Sequence, residues 1–139
     1  MEEARILAID YGTKRIGIAI TDPLNLFAYP LTTLQNNQDF FNNLKSILNQ
    51  YKVVRIIIGH PKKEDGSEPQ LLNQILSLKS EIEQKFNINV ILVDERYSSE
   101  IAKQRIIETV KSKKKRKDKS LLDKNAAAVI LEDYLKSNL

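Results

Sequence analysis

Apolar residues fall along this chain in two rhythms, and the rhythms change at residues that suit turns. Ile6 to Ile9 form an unbroken apolar run that ends in Asp10. A polar turn, Tyr11-Gly12-Thr13-Lys14, leads into Ile16-Gly17-Ile18-Ala19-Ile20. Two such runs around a tight turn predict a pair of buried strands, with a carboxylate where the first one ends. Phe27 to Thr33 predicts a third strand, and Pro30 assigns it to an edge because proline cannot donate to a ladder. From Asp39 the period lengthens. Phe40, Leu44, Ile47, Leu48 and Tyr51 recur at helical spacing, which predicts an amphipathic helix over Asp39–Tyr51.

Val53 to Gly59 is mostly β-branched and predicts an interior strand that breaks at His60-Pro61 into a polar loop. Ser67-Glu68-Pro69 opens a second helix, striped by Leu71, Ile75, Leu78 and Ile82. Asn87 to Asn89 interrupts it, and Val90 to Val93 predicts a short strand that runs out into Asp94-Glu95-Arg96. Ser98-Ser99 caps a third helix reaching about Val110, and a last helix spans Ser120 to about Leu135. Strands alternating with helices in the second part imply right-handed crossovers and parallel pairing, whereas the first part reads as an antiparallel meander. The expectation is an α/β fold, a mixed five-stranded sheet flanked by helices, forming one domain over residues 1–139.

Composition narrows the classes. The 139 residues carry no cysteine, which excludes disulfides and thiolate metal sites. No apolar run approaches the roughly 20 residues of a membrane span, and Met1-Glu2-Glu3 lacks the basic start of a signal peptide. A cytoplasmic protein without a membrane partner is therefore expected. The net charge of +4 is unevenly spread. Residues 111–119, KSKKKRKDK, hold seven bases and one acid, leaving 15 basic and 17 acidic residues elsewhere. A near-neutral body with one basic loop suits a localised grip on a polyanion; a loop merely solvated by its lysines accounts for the same run equally well.

Three carboxylates stand out. Asp10 and the Asp94-Glu95 pair close apolar strands, and ligands of α/β sheets sit beyond the carboxyl ends of parallel strands. Asp94 and Glu95 read alternatively as the start of a loop capping the next helix. Asp123 precedes Ala126, Ala127 and Ile130 at three, four and seven positions, so it shares their apolar face. Against this, Ser120-x-x-Asp123 resembles a capping box that serves only its own helix. Carboxylates gathered at one rim repel one another, and a hard divalent ion relieves the repulsion. Oxygen ligands suit Mg2+ or Mn2+, and two such ions would serve phosphodiester hydrolysis.

Other residues carry weaker signals. Lys14 and Arg15 beside the first turn, and Arg96 after Glu95, are placed to touch backbone phosphates, or simply to be solvated or paired. Lys113, Lys114, Lys115, Arg116 and Lys117 form the centre of the basic loop and are the remaining candidates for nucleic-acid contact. His60, the only histidine, reads either as a proton shuttle or as a polar loop residue.

Four stretches, AIDYGTKRIGIAITD, IIIGHPKKEDGSEPQ, VDERYSSEIA and DKSLLDKNAAAVILEDYL, resemble the signature blocks of the YqgF family in order and spacing. Members of that family are described as pre-16S ribosomal RNA nucleases and earlier as Holliday junction resolvases. The resemblance implies a ribonuclease H-like fold and metal-dependent nuclease chemistry in the bacterial cytoplasm. Its acidic positions fall on Asp10, Glu95 and Asp123, which would be the catalytic metal ligands. Gly59-His60-Pro61 departs from the usual Gly-Leu-Pro, and Tyr97-Ser98-Ser99 from the usual residues after Asp-Glu-Arg. Neither change touches a carboxylate.

The expected function is hydrolysis of phosphodiester bonds at the 5′ end of pre-16S rRNA, with a small-subunit precursor as the wider partner. Branched DNA is the nearest rival substrate. A nucleotide-binding protein of the actin or sugar-kinase type shares the Asp-x-Gly-Thr turn, but those proteins close two domains around their ligand. A non-catalytic assembly factor would hold RNA through the basic loop alone.

Overall fold

A computed structural model describes residues 4–61, 69–95, 102, 104, 106 and 119–137. Five strands form one sheet: β1 (Arg5–Asp10), β2 (Arg15–Thr21), β3 (Ala28–Gln35), β4 (Val53–Pro61) and β5 (Asn89–Glu95). Three helices join them, α1 (Phe40–Gln50), α2 (Pro69–Phe86) and α3 (Lys119–Ser137). The spatial order is β3-β2-β1-β4-β5. β2 is antiparallel to both β1 and β3, whereas β4 is parallel to both β1 and β5. The expected mixed sheet is the one observed, with a meander on one side and crossovers on the other.

Local chemistry sets the boundaries. In β3, Ala19 lies opposite Pro30 and Ile18 opposite Thr32, so Leu31 is an extra residue in a bulge. A proline costs least at an edge strand beside such an irregularity, which is why β3 tolerates Pro30. α2 begins with Pro69 at its first position, where the missing N–H would have had no partner in the helix. It ends at Phe86, and Asn87 takes the left-handed conformation at φ 53°. α1 starts without a side-chain bond from Asp39. Asn37 shapes that entry, its carbonyl accepting the Phe40 N–H at 3.1 Å and its Oδ1 the Asp39 N–H at 2.9 Å.

Strand alternation sorts the interior into two layers. Leu7, Ile9, Ile16, Ile18, Ile56 and Ile58 face α1 and α2, where they meet Phe40, Leu44, Ile75, Leu78 and Ile82. Ala8, Ala19 and Ile57 face the other way and meet Ala127, Ala128, Ile130 and Leu131 of α3. α3 is buried without interruption from Ala126 to Leu131. Its outer side is covered by the helical residue Ala102, which packs with Ala126 and Val129. A helix enclosed on both sides shows a weak amphipathic pattern.

β3 runs two residues past the expected Thr33 and β5 takes in Asp94 and Glu95, but the difference that matters is in β4. β4 does not break at His60-Pro61 but continues through both, pairing His60 with Asp94 and Pro61 with Glu95. β1 has already ended opposite Gly59, so the N–H that Pro61 lacks would have had no partner on that side. The predicted third helix is represented among the described residues by Ala102, Gln104 and Ile106, which are helical. The basic loop over 111–118 and Arg96 lie outside the described residues.

Candidate active site at the carboxyl rim

Asp10 ends β1, and its antiparallel partner is Gly17 on β2. Directly opposed residues of such a pair share a face, with Cα atoms about 4.5–5.5 Å apart. Asp10 has the parity of Ala8, and Gly17 that of Ala19, so this face is the one covered by α3. A side chain at Gly17 would run into the Asp123 carbonyl, so the backbone of α3 rests on β2 at this point. Asp10 and Asp123 therefore flank one glycine on one face of the sheet. Gly59, the parallel partner of Asp10, repeats the device: a Cβ there would stand 2.7 Å from Ile130 Cδ1. A glycine within a run of β-branched residues signals close backbone approach. Gly17 in IGIAI and Gly59 in IIIGH carried that signal in the sequence, and neither was singled out as part of the site.

Asp123 has a specific partner. Arg15 Nε donates to Asp123 Oδ2 at 2.8 Å, with the two side chains only 27% and 22% exposed. Arg15 has the parity of Gly17 along β2, so this contact confirms the shared face. Thr33, opposite Gly17 on β3, donates from Oγ1 to the Ser120 carbonyl at 2.6 Å and ties down the start of α3. The near end of α3 is thus held by this ion pair and this hydrogen bond. At its far end, Arg55 Nη1 of β4 donates to the Tyr134 hydroxyl at 2.7 Å.

The other sequence-singled residues divide between the faces. Glu95 ends β5 two positions after Val93, which packs into the α3 layer; its side chain lies outside the described residues. His60 and Asp94 have the parity of Ile58 and Leu92, which pack into the α1/α2 layer. His60 Nε2 lies 3.0 Å from Asp94 Oδ1. The histidine is thus a strand residue bound to its cross-strand neighbour, on the face opposite Asp10 and Asp123. Lys14 is exposed in the turn after β1.

Asp10 and Asp123 offer oxygen donors, the chemistry of a magnesium or manganese site. The cation already drawn to Asp123 is the Arg15 guanidinium, which indicates an electrostatic demand for positive charge at this rim. Among the described residues, no group of three histidine, cysteine or acidic side chains is gathered closely enough to hold a metal. Asp10 and Asp123 lie to either side of Gly17 on one face, and Glu95 ends β5.

The sheet order and the helix over its Asp10 face are those of a ribonuclease H-like fold. A chain of the fowlpox virus resolvase, solved with Holliday junction DNA, superposes with a TM-score of 0.60 at 17% identity, covering 97% of this chain and 99% of that one. RuvC of T. thermophilus, solved with a Holliday junction substrate, gives 0.58 at 12% identity over 98% and 97%. At such identities the likeness is one of fold. The sequence profile of RuvX, described as Holliday junction resolvase, matches residues 4–137. A protein of Christiangramia forsetii named "Putative pre-16S rRNA nuclease" is 41% identical over 95% of this chain and 98% of its own length. One of the same name from Phocaeicola vulgatus is 38% identical over 96% of each. The chain belongs to the RuvX (YqgF) family. It is a nuclease, a hydrolase of phosphodiester bonds. No helix among the described residues is long and apolar enough to cross a membrane.

Proposed function

We propose that the chain is a divalent-metal-dependent nuclease that processes the 5′ end of pre-16S rRNA in the bacterial cytoplasm. The observation that carries the reading is the pairing of Asp10 and Asp123 across Gly17, at the rim where parallel strands deliver ligands. Asp10, Asp123 and Glu95 are the residues that would hold Mg2+ or Mn2+, most economically as a pair of ions. Bound there, the metal would supply Lewis acidity for an attacking water and for the leaving oxygen. The chain's own part is to fix the two carboxylates on one rigid face, with Arg15 holding the Asp123 charge until a metal displaces it. Lys14, Arg96 and the basic residues Lys113, Lys114, Lys115, Arg116 and Lys117 would track the phosphate backbone.

The RNA substrate is supported by the names of the relatives that match over nearly their whole length. The description of the family favours a second substrate, branched DNA. One experiment separates them. Purified protein is given labelled pre-16S 5′-leader RNA or a four-way DNA junction, with Mg2+ or Mn2+, alongside Asp10→Asn and Asp123→Asn. RNA cleavage abolished by chelator and by either substitution is the expected result. Cutting of the junction alone would transfer the chemistry to DNA. RNA binding without cleavage in all three proteins would overturn the metal-nuclease reading and favour an assembly factor.

A further inference from the structure

A cleft of about 320 Å3 opens at the same rim on the other side of the sheet, between the start of α1 and the side of α2. It takes no part in the site described above. Carboxamides dominate its walls: Asn36, Asn37, Asn73 and Gln74. Tyr11 and Phe41 supply aromatic surface, and Phe40, 3% exposed, lies at the bottom. Asn73, Ser77 and Glu81 recur every four residues along α2 and so line up on one side of the helix. Glu81 is the only charged side chain among the described residues of the lining.

This composition selects a class of ligand. A carboxamide presents a donor and an acceptor side by side, which matches the edge of a nucleobase, and aromatic rings offer stacking surface. The described residues of the lining include no lysine or arginine, so they favour a base over a phosphate. The volume is sufficient for a planar heterocycle. The rings are fixed in advance: Phe40 meets Phe41 edge-on with centroids 5.3 Å apart, and Lys85 Nζ lies 5.1 Å from the Phe41 centroid. The turn behind Tyr11 is pinned as well, since Asn36 Nδ2 donates to the Gly12 carbonyl at 2.9 Å. Gln74 Oε1 accepts only a long 3.5 Å contact from the Tyr11 hydroxyl, a partner easily exchanged for a base edge.

The cleft's position relates it to the carboxylates. Asp10 and Tyr11 are consecutive, with Cα atoms about 3.8 Å apart. Asp10 faces α3, and Tyr11 packs against the α1/α2 layer. A single strand crossing this rim meets the carboxylates on one side and the cleft on the other. Resting on the reading of the chain as an RNA nuclease, we infer that the cleft takes one unstacked base of the single-stranded substrate beside the scissile phosphate. It thereby sets where the strand is cut.

The test is an abasic scan of a 5′-leader RNA oligonucleotide bound to the full chain in chelator, with affinity read by fluorescence anisotropy. Removing the base that enters the cleft is expected to weaken wild-type binding roughly tenfold, the loss of one stacked base. In the double variant Asn73→Ala, Gln74→Ala, which changes two exposed positions, that position dependence is expected to disappear. Cut sites are expected to spread when metal is restored. A scan that is flat in the wild type, or identical in wild type and variant, overturns the inference even if cleavage persists. Loss of cleavage with the position dependence intact overturns the nuclease reading instead, and supports the base site.

Discussion

On the face of the sheet that meets α1 and α2, strand positions carry Leu7, Ile9, Ile16, Ile18, Ile56 and Ile58, all fully buried. On the face that meets α3, the neighbouring positions carry Ala8, Gly17, Ala19 and Gly59, with Ile57 as the one large, fully buried apolar residue among those described, and α3 answers with Ala127 and Ala128 beside Ile130 and Leu131. The first face removes large apolar surface from water, at about 25 cal/mol per Å2, and so supplies stability. The second gains less from transfer and more from proximity. Small residues let the backbone of α3 touch β2, and that contact brings Asp123 beside Asp10. One sheet thus separates what holds the fold together from what positions the chemistry.

Substitutions that act on only one face break the comparison. Ile58→Ala empties a fully buried site on the α1/α2 face, where truncations of this kind cost about 2–5 kcal/mol. Chemical denaturation should register that loss, while cleavage per folded molecule stays at the wild-type level. Gly17→Ala adds only a methyl group, but it forces the α3 backbone away from β2. We expect a stability loss of about 1–3 kcal/mol. Cleavage should fall about tenfold or more, because displacement of a catalytic group by about an ångström is costly. An active, fully stable Gly17→Ala protein would show that close approach is not what positions Asp123.

Two smaller effects sharpen the contrast. Arg15→Gln removes the cation beside Asp123 on the α3 face and should cost under about 1 kcal/mol, as half-buried pairs commonly do. Mn2+ should then bind the variant a fewfold more tightly, since a competing charge is gone; weaker binding would make Arg15 a support for the site instead. Asp22 lies far from either face of the site, in the loop between β2 and β3. Its carboxylate accepts the Phe27 and Leu26 N–H groups at 2.7 Å and that of Leu24 at 3.2 Å. The bond from Phe27, followed by those from Leu26 and Leu24, holds its pKa below the usual value. A depressed folded-state pKa stabilises the fold above the unfolded value and is lost as pH falls through the folded one. Asp22→Asn should therefore flatten a shallow stability loss below about pH 4, measured by thermal melting at low salt.

Much of the fold was legible because its strands are dense apolar runs ending at turns, and its outer helices are striped. α3 was legible for a different reason: its alanines announced close packing, which placed Asp123 beside the sheet. What escaped was pairing across the chain. Nothing in the sequence tells which strand residue is opposed to His60, so neither its bond to Asp94 nor its place on the far face could be read. The partner of Arg15 lies 108 positions away and depends on how α3 crosses β2. The carboxamide cleft was hidden for the same reason, because Asn36 and Asn73 look like ordinary surface residues until α1 and α2 come together.

The central claim is that the α3 face gathers carboxylates to hold a metal. Calorimetric titration of the full chain with Mn2+, beside Asp10→Asn and Asp123→Asn, tests it without reference to any substrate. Saturable binding in the wild type, weakened about tenfold or more in both variants, is the predicted result. Equal binding in all three proteins, or none in any, would contradict it.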